Sequence, residues 1–122
     1  MHYIGTDIVE IARIEGAIAR NGEGFLRRIF TEPELKLYLN KPSSLAARFA
    51  GKEAVIKAFG TRTNGISWRQ IEILSDPNGK PVVQLYGEAQ KQADSLGLGR
   101  LAISLSHSKE YAIAFVIGET KA

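Results

Sequence analysis

The 122-residue sequence contains no cysteine, which excludes a disulfide scaffold and any zinc or redox site built on thiolates. It has no apolar run close to the ~20 residues that a membrane helix requires, and charges appear too early in residues 1–20 for a signal peptide. Internal repeats, low-complexity tracts and linkers are also missing. These absences predict a cytoplasmic protein, retained in full, that forms a single domain over residues 1–122.

The composition that remains is that of a globular protein with a mild excess of positive charge. Hydrophobic residues make up 44% of the chain and charged residues 24%. The formal net charge of +3 permits an acidic partner but does not identify nucleic acid as that partner. The distribution is more informative, because four arginines fall within one short N-terminal region. They are Arg13, Arg20, Arg27 and Arg28.

The spacing of apolar residues changes halfway along the chain. The first half begins with a predicted strand at residues 2–9. Helical spacing then predicts four helices, over residues 10–20, 23–30, 31–39 and 43–59. Thr31 and Glu34 form a capping box at the start of the third helix, and Ser43 or Ser44 is predicted to cap the fourth.

Period-two alternation in the second half predicts a hairpin of strands at residues 67–76 and 81–87, joined by the turn at residues 76–80. A second strand pair is predicted at residues 100–108 and 111–119, with a polar helix over residues 88–97 before it. The chain is therefore expected to be an α+β protein, with its helices packed on a mostly antiparallel sheet.

The predicted helix over residues 43–59 carries three charges in its middle, Lys52, Glu53 and Lys57, which is unusual for a helix that looks buried. Lys52 points within the apolar stripe, so it either snorkels to the surface or meets a subunit interface or a bound anion. Glu53 and Lys57 lie one turn apart, as in an ordinary surface ion pair.

Two faces of this helix are predicted from the ~100° step between residues. The core stripe is formed by Leu45, Phe49, Ile56 and Phe59. Glu53 and Lys57 share the other face with Ala46, Ala50 and Ala54. These small side chains would let a ligand approach the two charges closely.

Asp7 and His107 are the other polar residues in unexpected places. Asp7 lies in a short apolar strand beside Gly5, which would allow a close approach to that face. With Glu53 it would suit Mg²⁺, which is usually held by one or two carboxylates plus substrate phosphates. His107 ends a strand among serines, before Lys109, and this setting suits a phosphate. The turn at residues 78–81 offers free backbone groups to a ligand, although it is also simply a good turn.

In this order, the motifs IGTDIVEI, RFAGKEAVIKAFG, NGKP and LSHSKEYA resemble those of the holo-acyl-carrier-protein synthases. These are the short type of 4′-phosphopantetheinyl transferase, and the resemblance runs from residue 2 to about residue 117. It implies the fold of that family. It also implies an enzyme of fatty acid biosynthesis that moves the 4′-phosphopantetheine of coenzyme A to a serine of apo acyl carrier protein, releasing adenosine 3′,5′-bisphosphate.

The resemblance also implies roles for individual residues. Mg²⁺ would be bound by Asp7 and Glu53, and the catalytic residues would be Glu53 and Lys57, with Lys57 near the phosphates. Further contacts to coenzyme A would come from Asn78, Gly79, Lys80 and Pro81 around the adenine, and from Ser106, His107 and Ser108 around the phosphates. The surface for the acidic carrier protein would include Arg13, Arg20, Arg27 and Arg28. The family's short members usually form trimers with active sites between subunits.

Several alternatives stay open at this point. The base that takes the serine proton would be Glu53, a metal-bound water, or another carboxylate such as Glu34. The same acidic and basic residues would also serve a Mg²⁺-dependent nuclease or phosphodiesterase. A small basic nucleic-acid-binding domain is a third reading, but its exposed aromatics are not evident, because the phenylalanines fit core positions.

Overall fold

Residues 1–60 and 65–121 are described by the structure, a computed structural model of the chain. The helices are α1 (Ile11–Asn21), α2 (Glu23–Ile29), α3 (Glu32–Tyr38), α4 (Pro42–Phe59) and α5 (Gly87–Ser95). The strands are β1 (His2–Glu10), β2 (Ile71–Ser75), β3 (Pro81–Leu85), β4 (Leu98–His107) and β5 (Tyr111–Thr120). The predicted α+β class is confirmed. Within the described ranges, no helix combines the length and apolar character needed to cross a membrane.

The strands form two antiparallel sheets, one in the order β1-β5-β4 and the other made of β2 and β3. The N-terminal strand therefore pairs with the C-terminal one, and Asp7 lies opposite Ala114. On the other side of β5, Ala114 lies opposite Leu105. The second sheet is the predicted hairpin, closed at the pair Ser75 and Pro81.

Local start signals were predicted correctly for α3 and incorrectly for α4. The Thr31–Glu34 capping box is present, with both of its reciprocal hydrogen bonds. Helix α4 has Lys41 at its N-cap without a side-chain hydrogen bond, so neither Ser43 nor Ser44 caps it. Pro42 opens the helix instead, at a position where a missing N–H leaves no helical bond unmade. Before β2, the residues Trp68–Gln70 form a 3₁₀ turn rather than part of the strand.

The alanine face of α4 packs against the three-stranded sheet. Ala46, Ala50 and Ala54 are fully buried, whereas Phe49 and Ile56, which were predicted to lie in the core, are only half-buried. Small side chains let the sheet backbone approach the helix axis closely, so this face is buried although the apolar stripe lies elsewhere. The expectation that this face leaves room for a ligand is therefore wrong, because β1 and β5 cover it.

The opposite side of the same sheet is apolar and exposed. We call this side the outer sheet face and define it by Ile4, Ile8, Ile113, Phe115 and Ile117. Their exposed fractions run from 37% for Ile117 to 61% for Ile8. Contiguous exposed apolar side chains of this kind mark an interaction surface.

Candidate active site

Gly5 allows β1 to lie directly against α4; the sequence predicted a close approach to this face but did not identify α4 as the element that makes it. A Cβ atom at this position would lie 1.9 Å from the carbonyl oxygen of Ala54 and 2.8 Å from the amide nitrogen of Ala58. Side chains alternate along a strand, so Asp7 faces the same helix two residues later. The close contact at Gly5 therefore brings Asp7 to the turns of α4 that carry Glu53 and Lys57.

Asp7, Glu53 and Lys57 form one cluster at this contact. The Lys57 ammonium donates a hydrogen bond to Asp7 Oδ1 at 2.9 Å, and the bond to this carboxylate raises the pKa of Lys57. Burial raises the pKa of the Glu53 carboxyl, and the neighbouring charge of Asp7 raises it further, while Lys57 acts in the opposite direction. A local surface pair of Lys57 with Glu53 was one reading of the sequence, but Lys57 pairs instead with Asp7, 50 positions away along the chain.

The two carboxylates of the cluster suit a divalent cation, because their negative charges repel each other. Two carboxylates that repel each other in a half-buried place are stabilised when a cation lies between them. In the described part of the chain, no group of three or more His, Cys, Asp or Glu side chains could hold a metal. The protein would thus supply two carboxylates, and substrate phosphates and water would supply the remaining ligands, as is usual for Mg²⁺.

Replacing Gly5 with alanine is expected to lower stability by about 1–3 kcal/mol, because overpacking must push β1 away from α4. The same displacement moves Asp7 from Glu53, so activity per folded molecule should fall as well. Thermal unfolding and an activity assay measure the two effects. Gly24→Ala is a matched control, since nothing lies within 4 Å of a Cβ there. Equal behaviour of the two variants would show that Gly5 does not set the position of Asp7.

Lys52, which lies beside Glu53 in the middle of α4, is part of an internal ion pair. Its ammonium lies 2.7 Å from Glu34 Oε1, and both side chains are fully buried. Glu34 also accepts hydrogen bonds from the amides of Thr31, at 2.9 Å, and Ile73, at 2.8 Å. Burial lowers the pKa of Lys52, and the Glu34 carboxylate opposes that shift. Lys52 therefore neither snorkels nor reaches an interface or a bound anion.

Glu34 therefore cannot be the base that takes the serine proton. Its carboxylate is sealed from solvent and both of its oxygens accept hydrogen bonds within the fold. No serine of a partner protein can reach it in this state. The pair instead joins α3 and α4 to β2, so its role is structural.

Four of the residues predicted to bind coenzyme A lie together at a cleft far along α4 from Lys57. They are Gly79, Pro81, Ser106 and His107. We call this the hairpin cleft, since it lies between the turn of the β2–β3 hairpin, the first half of α4 and the end of β4. Its volume is about 180 Å³. His107 also borders a neighbouring cleft with Ser108, and Lys80 lines another with Arg100.

The backbone amides of the hairpin turn are not free for a ligand, contrary to one expectation. The amides of Asn78 and Lys80 both donate to Asp76 Oδ1 at 2.9 Å, and the amide of Gly79 donates to the Asp76 carbonyl. Ser108 is similarly engaged, because its hydroxyl accepts from the amides of the following turn. A ligand would meet the surface of the turn at Gly79 and Pro81.

The basic N-terminal surface divides into two parts. Arg13 and Arg20 flank a groove of about 380 Å³ whose floor includes Phe25 and Phe49. Arg27 lies elsewhere and forms ion pairs with two exposed glutamates of its own neighbourhood, which raise its pKa. Of these three arginines, Arg13 and Arg20 thus line the groove between α1 and α4, whereas Arg27 does not.

Sequence reasoning did not identify Arg48. This arginine lies on α4 one turn before Lys52, is 8% exposed and lines the hairpin cleft. The available signal was a basic residue four positions before Lys52, and so one turn from it, in a largely apolar helix. It was not informative alone, because an arginine at such a position is commonly a surface residue whose stem covers apolar groups.

Comparisons with known proteins agree with the geometry. A family model described as the 4′-phosphopantetheinyl transferase superfamily matches residues 3–116. A holo-acyl-carrier-protein synthase of Dehalococcoides mccartyi is 55% identical, with 98% of this chain and 99% of the relative aligned. Two solved structures of such synthases are also similar. The Neisseria meningitidis structure has TM-score 0.89 at 39% identity, covering 98% of this chain and 100% of that one. The Helicobacter pylori structure, in complex with coenzyme A, has TM-score 0.86 at 36% identity, covering 95% and 99%.

Proposed function

This chain belongs to the 4′-phosphopantetheinyl transferase superfamily, and on that premise we propose that it is a holo-acyl-carrier-protein synthase of fatty acid biosynthesis. It transfers the 4′-phosphopantetheine group of coenzyme A to a serine of apo acyl carrier protein. The observation that carries this proposal is the convergence of Asp7, Glu53 and Lys57 where β1 meets α4. Both residues predicted for the metal and the lysine predicted for the phosphates lie in this one cluster.

The reaction needs charge placed around a pyrophosphate rather than a nucleophile from this chain. The carrier serine oxygen forms a bond to the phosphorus that bears pantetheine, the pyrophosphate P–O bond breaks, and adenosine 3′,5′-bisphosphate leaves. Mg²⁺ held by Asp7 and Glu53 would supply Lewis-acid catalysis and a template. Lys57, whose side chain is more than half exposed, can turn from Asp7 toward the phosphates and offset the negative charge there. Of the two side chains considered as base, Glu53 remains at the site.

Intact mass spectrometry of an apo acyl carrier protein tests the function directly. The carrier is incubated with this protein, coenzyme A and Mg²⁺, with EDTA in a parallel sample. We expect the gain of one phosphopantetheine group, abolished by EDTA. No gain with several carriers and a folded protein would overturn the proposal, and cleavage of nucleic acid without coenzyme A would favour the nuclease alternative.

Carrier recognition is proposed to use the groove between Arg13 and Arg20. Two guanidinium groups beside an apolar floor suit an acidic protein that also presents an apolar side chain. Arg28, which is exposed on α2, would add to the same basic surface, while Arg27 contributes less because Glu23 and Glu32 already offset its charge. The association should weaken as salt rises.

Reversing both charges, in Arg13→Glu with Arg20→Glu, is expected to raise KM for the carrier by about 10-fold or more, because like charges then face each other. The kcat value and KM for coenzyme A should change little. Steady-state kinetics at several salt concentrations provide the measurement. Lys91→Glu, a charge reversal on α5, is the control. A double variant with wild-type KM for the carrier would place the docking surface elsewhere.

The assembly is proposed to be a homotrimer, with active sites between subunits, joined through the outer sheet face. The support is the exposed apolar surface of β1 and β5 and its position, since Thr6 and Ile8 on either side of Asp7 point to that face. If another subunit covered the outer sheet face, the edge of that contact would therefore lie next to the Asp7 cluster. The single domain over residues 1–122 and the cytoplasmic location complete the proposal.

A further inference from the structure

The two lysines in the second half of α4 have opposite kinds of surroundings. Lys52 is fully buried, and its ammonium donates to Glu34 and to two backbone carbonyl oxygens. The side chain of Lys57 is 56% exposed, and its ammonium makes a single hydrogen bond to the residues that the structure describes, with Asp7 Oδ1. Lys52 is therefore fixed within the fold, whereas the Lys57 ammonium can exchange Asp7 for solvent or for another anion.

Lys57 pairs with Asp7 although Glu53 lies one turn before it on the same helix, at the spacing of a local ion pair. In the part of the chain that the structure describes, Asp7 is the only carboxylate within 4 Å of the Lys57 nitrogen. No cationic side chain of that part lies so close to Glu53. The side chain of Asp7 is only 16% exposed, so this carboxylate would be costly to leave without a cation. Asp7 therefore requires a cationic partner, while Glu53 remains open to one.

The hydrogen bond between Lys57 and Asp7 competes with metal binding for one carboxylate. The proposed function assigns Asp7 and Glu53 to Mg²⁺, and Lys57 already donates to Asp7 Oδ1 at 2.9 Å. A carboxylate has lone pairs for more than one partner, but an ammonium and a divalent cation about 4 Å apart repel each other strongly at a partly buried site. Occupation of Asp7 by either cation therefore weakens the binding of the other.

The exchange of one cation for the other reverses the charge of the cluster. With both carboxyl groups ionised, Asp7, Glu53 and Lys57 carry one net negative charge, which opposes the approach of a pyrophosphate. With Mg²⁺ bound to the two carboxylates, the same three side chains and the ion carry one net positive charge. The exposed ammonium of Lys57 is then attracted to the phosphates that Mg²⁺ also binds.

We propose that Lys57 is an internal counter-ion of Asp7 that Mg²⁺ displaces, and that the released ammonium couples metal binding to the binding of coenzyme A. The inference rests on the proposed function and adds to it a regulation of the same site. Because such coupling is reciprocal, coenzyme A tightens metal binding by the same factor by which the metal tightens the binding of coenzyme A. The loss of Lys57 should therefore strengthen binding of the metal alone and reduce this factor.

The competition is tested with Mn²⁺ alone, since oxygen ligands that suit Mg²⁺ also suit Mn²⁺ and electron paramagnetic resonance measures free Mn²⁺. In Lys57→Gln the dissociation constant for Mn²⁺ should be about 3- to 10-fold lower than in the wild type, because a competing ion pair and its repulsion are lost. Lys91→Gln is the matched control, since Lys91 also pairs with a carboxylate, that of Glu88, but on α5. Unchanged or weaker binding in Lys57→Gln would overturn the inference, as would a wild type that binds no Mn²⁺ without coenzyme A.

The displacement itself is measured on the wild type, from ¹H–¹⁵N spectra of the lysine ammonium groups during a Mg²⁺ titration. The Lys57 signal is identified by its absence from Lys57→Gln. It should move to the position of a lysine without a carboxylate partner as Mg²⁺ binds, while the signal of Lys52, which is sealed with Glu34, should stay in place. A Lys57 signal that keeps the position of an ion pair at saturating Mg²⁺ would contradict the displacement.

The coupling is measured by titration calorimetry with coenzyme A, without a carrier protein. The dissociation constant without Mg²⁺, divided by the constant with Mg²⁺, should be at least about 3-fold smaller in Lys57→Gln than in the wild type. Equal ratios in the two proteins would overturn the coupling. Transfer to no carrier would overturn the proposed function instead, and neither the Mn²⁺ experiment nor the ammonium spectra contain a carrier, so the two failures are distinguishable.

Discussion

A Glu53→Gln variant should lose ~100-fold or more of the transfer rate, because the metal that it helps to hold contributes several kcal/mol of charge stabilisation in the transition state. Glutamine keeps the shape of the side chain and removes the negative charge. The Mg²⁺ concentration for half-maximal rate should also rise by about 10-fold or more, as expected when a group that holds a metal is altered. Initial rates across a Mg²⁺ titration measure both effects.

The titration separates two roles of Glu53. If Glu53 binds the metal, the Mg²⁺ concentration for half-maximal rate should change in Glu53→Gln. If Glu53 is a base that does not touch the metal, the variant should be slower but that concentration should stay the same. Asp7→Asn should resemble Glu53→Gln in the titration, since both side chains face one cluster. Glu88→Gln, the same change at an exposed site on α5, is the control. Full Mg²⁺-dependent activity in Glu53→Gln would show that Glu53 is not part of the active site.

The second large effect is expected from Phe115→Glu on the outer sheet face. Phe115 is 46% exposed in the isolated chain and would be covered in the proposed trimer. A carboxylate there would have to be buried without a partner, which costs several kcal/mol per subunit. We expect a monomeric protein with near-native stability of the single chain and little transfer activity. Analytical ultracentrifugation and circular dichroism of wild type and variant give the measurement.

Leu37→Glu is the matched control for this experiment. Leu37 is 50% exposed, comparable to Phe115, but lies on α3 away from the sheet. The Leu37→Glu substitution should leave the assembly and the activity unchanged. A wild type that sediments as an active monomer would rule out the trimer, and a trimeric, fully active Phe115→Glu protein would place the interface on another surface.

The helices and strands were predictable because their signals are local. The period of the apolar residues identified β1, α3 and the β2–β3 hairpin, and the Thr31–Glu34 capping box acted within one turn of chain. The wrong start of α4 is informative in the same way. Two serines satisfied a capping preference, but Pro42, directly before them, already provided a fixed helical φ.

The faces of α4 were less predictable, because burial depends on which element the helix meets. An apolar stripe predicts the core only if the partner is another layer of side chains. Here the partner is the backbone of β1 at Gly5, which selects the small face with Ala54. Phe49 is left at the edge of the arginine groove for the same reason.

By itself, the sequence determined the α+β class, most element types and the presence of Asp7, Glu53 and Lys57 as charges in apolar surroundings. Only the tertiary structure decided what each charge meets. Glu34 became the partner of Lys52 and Asp7 the partner of Lys57, whereas Arg48 meets only neutral oxygens within residues 1–60 and 65–121. The physical reason is distance along the chain. Periodicity and capping act over a few residues, whereas these contacts join residues 18 and 50 positions apart and exist only after β1 and α3 have packed on α4.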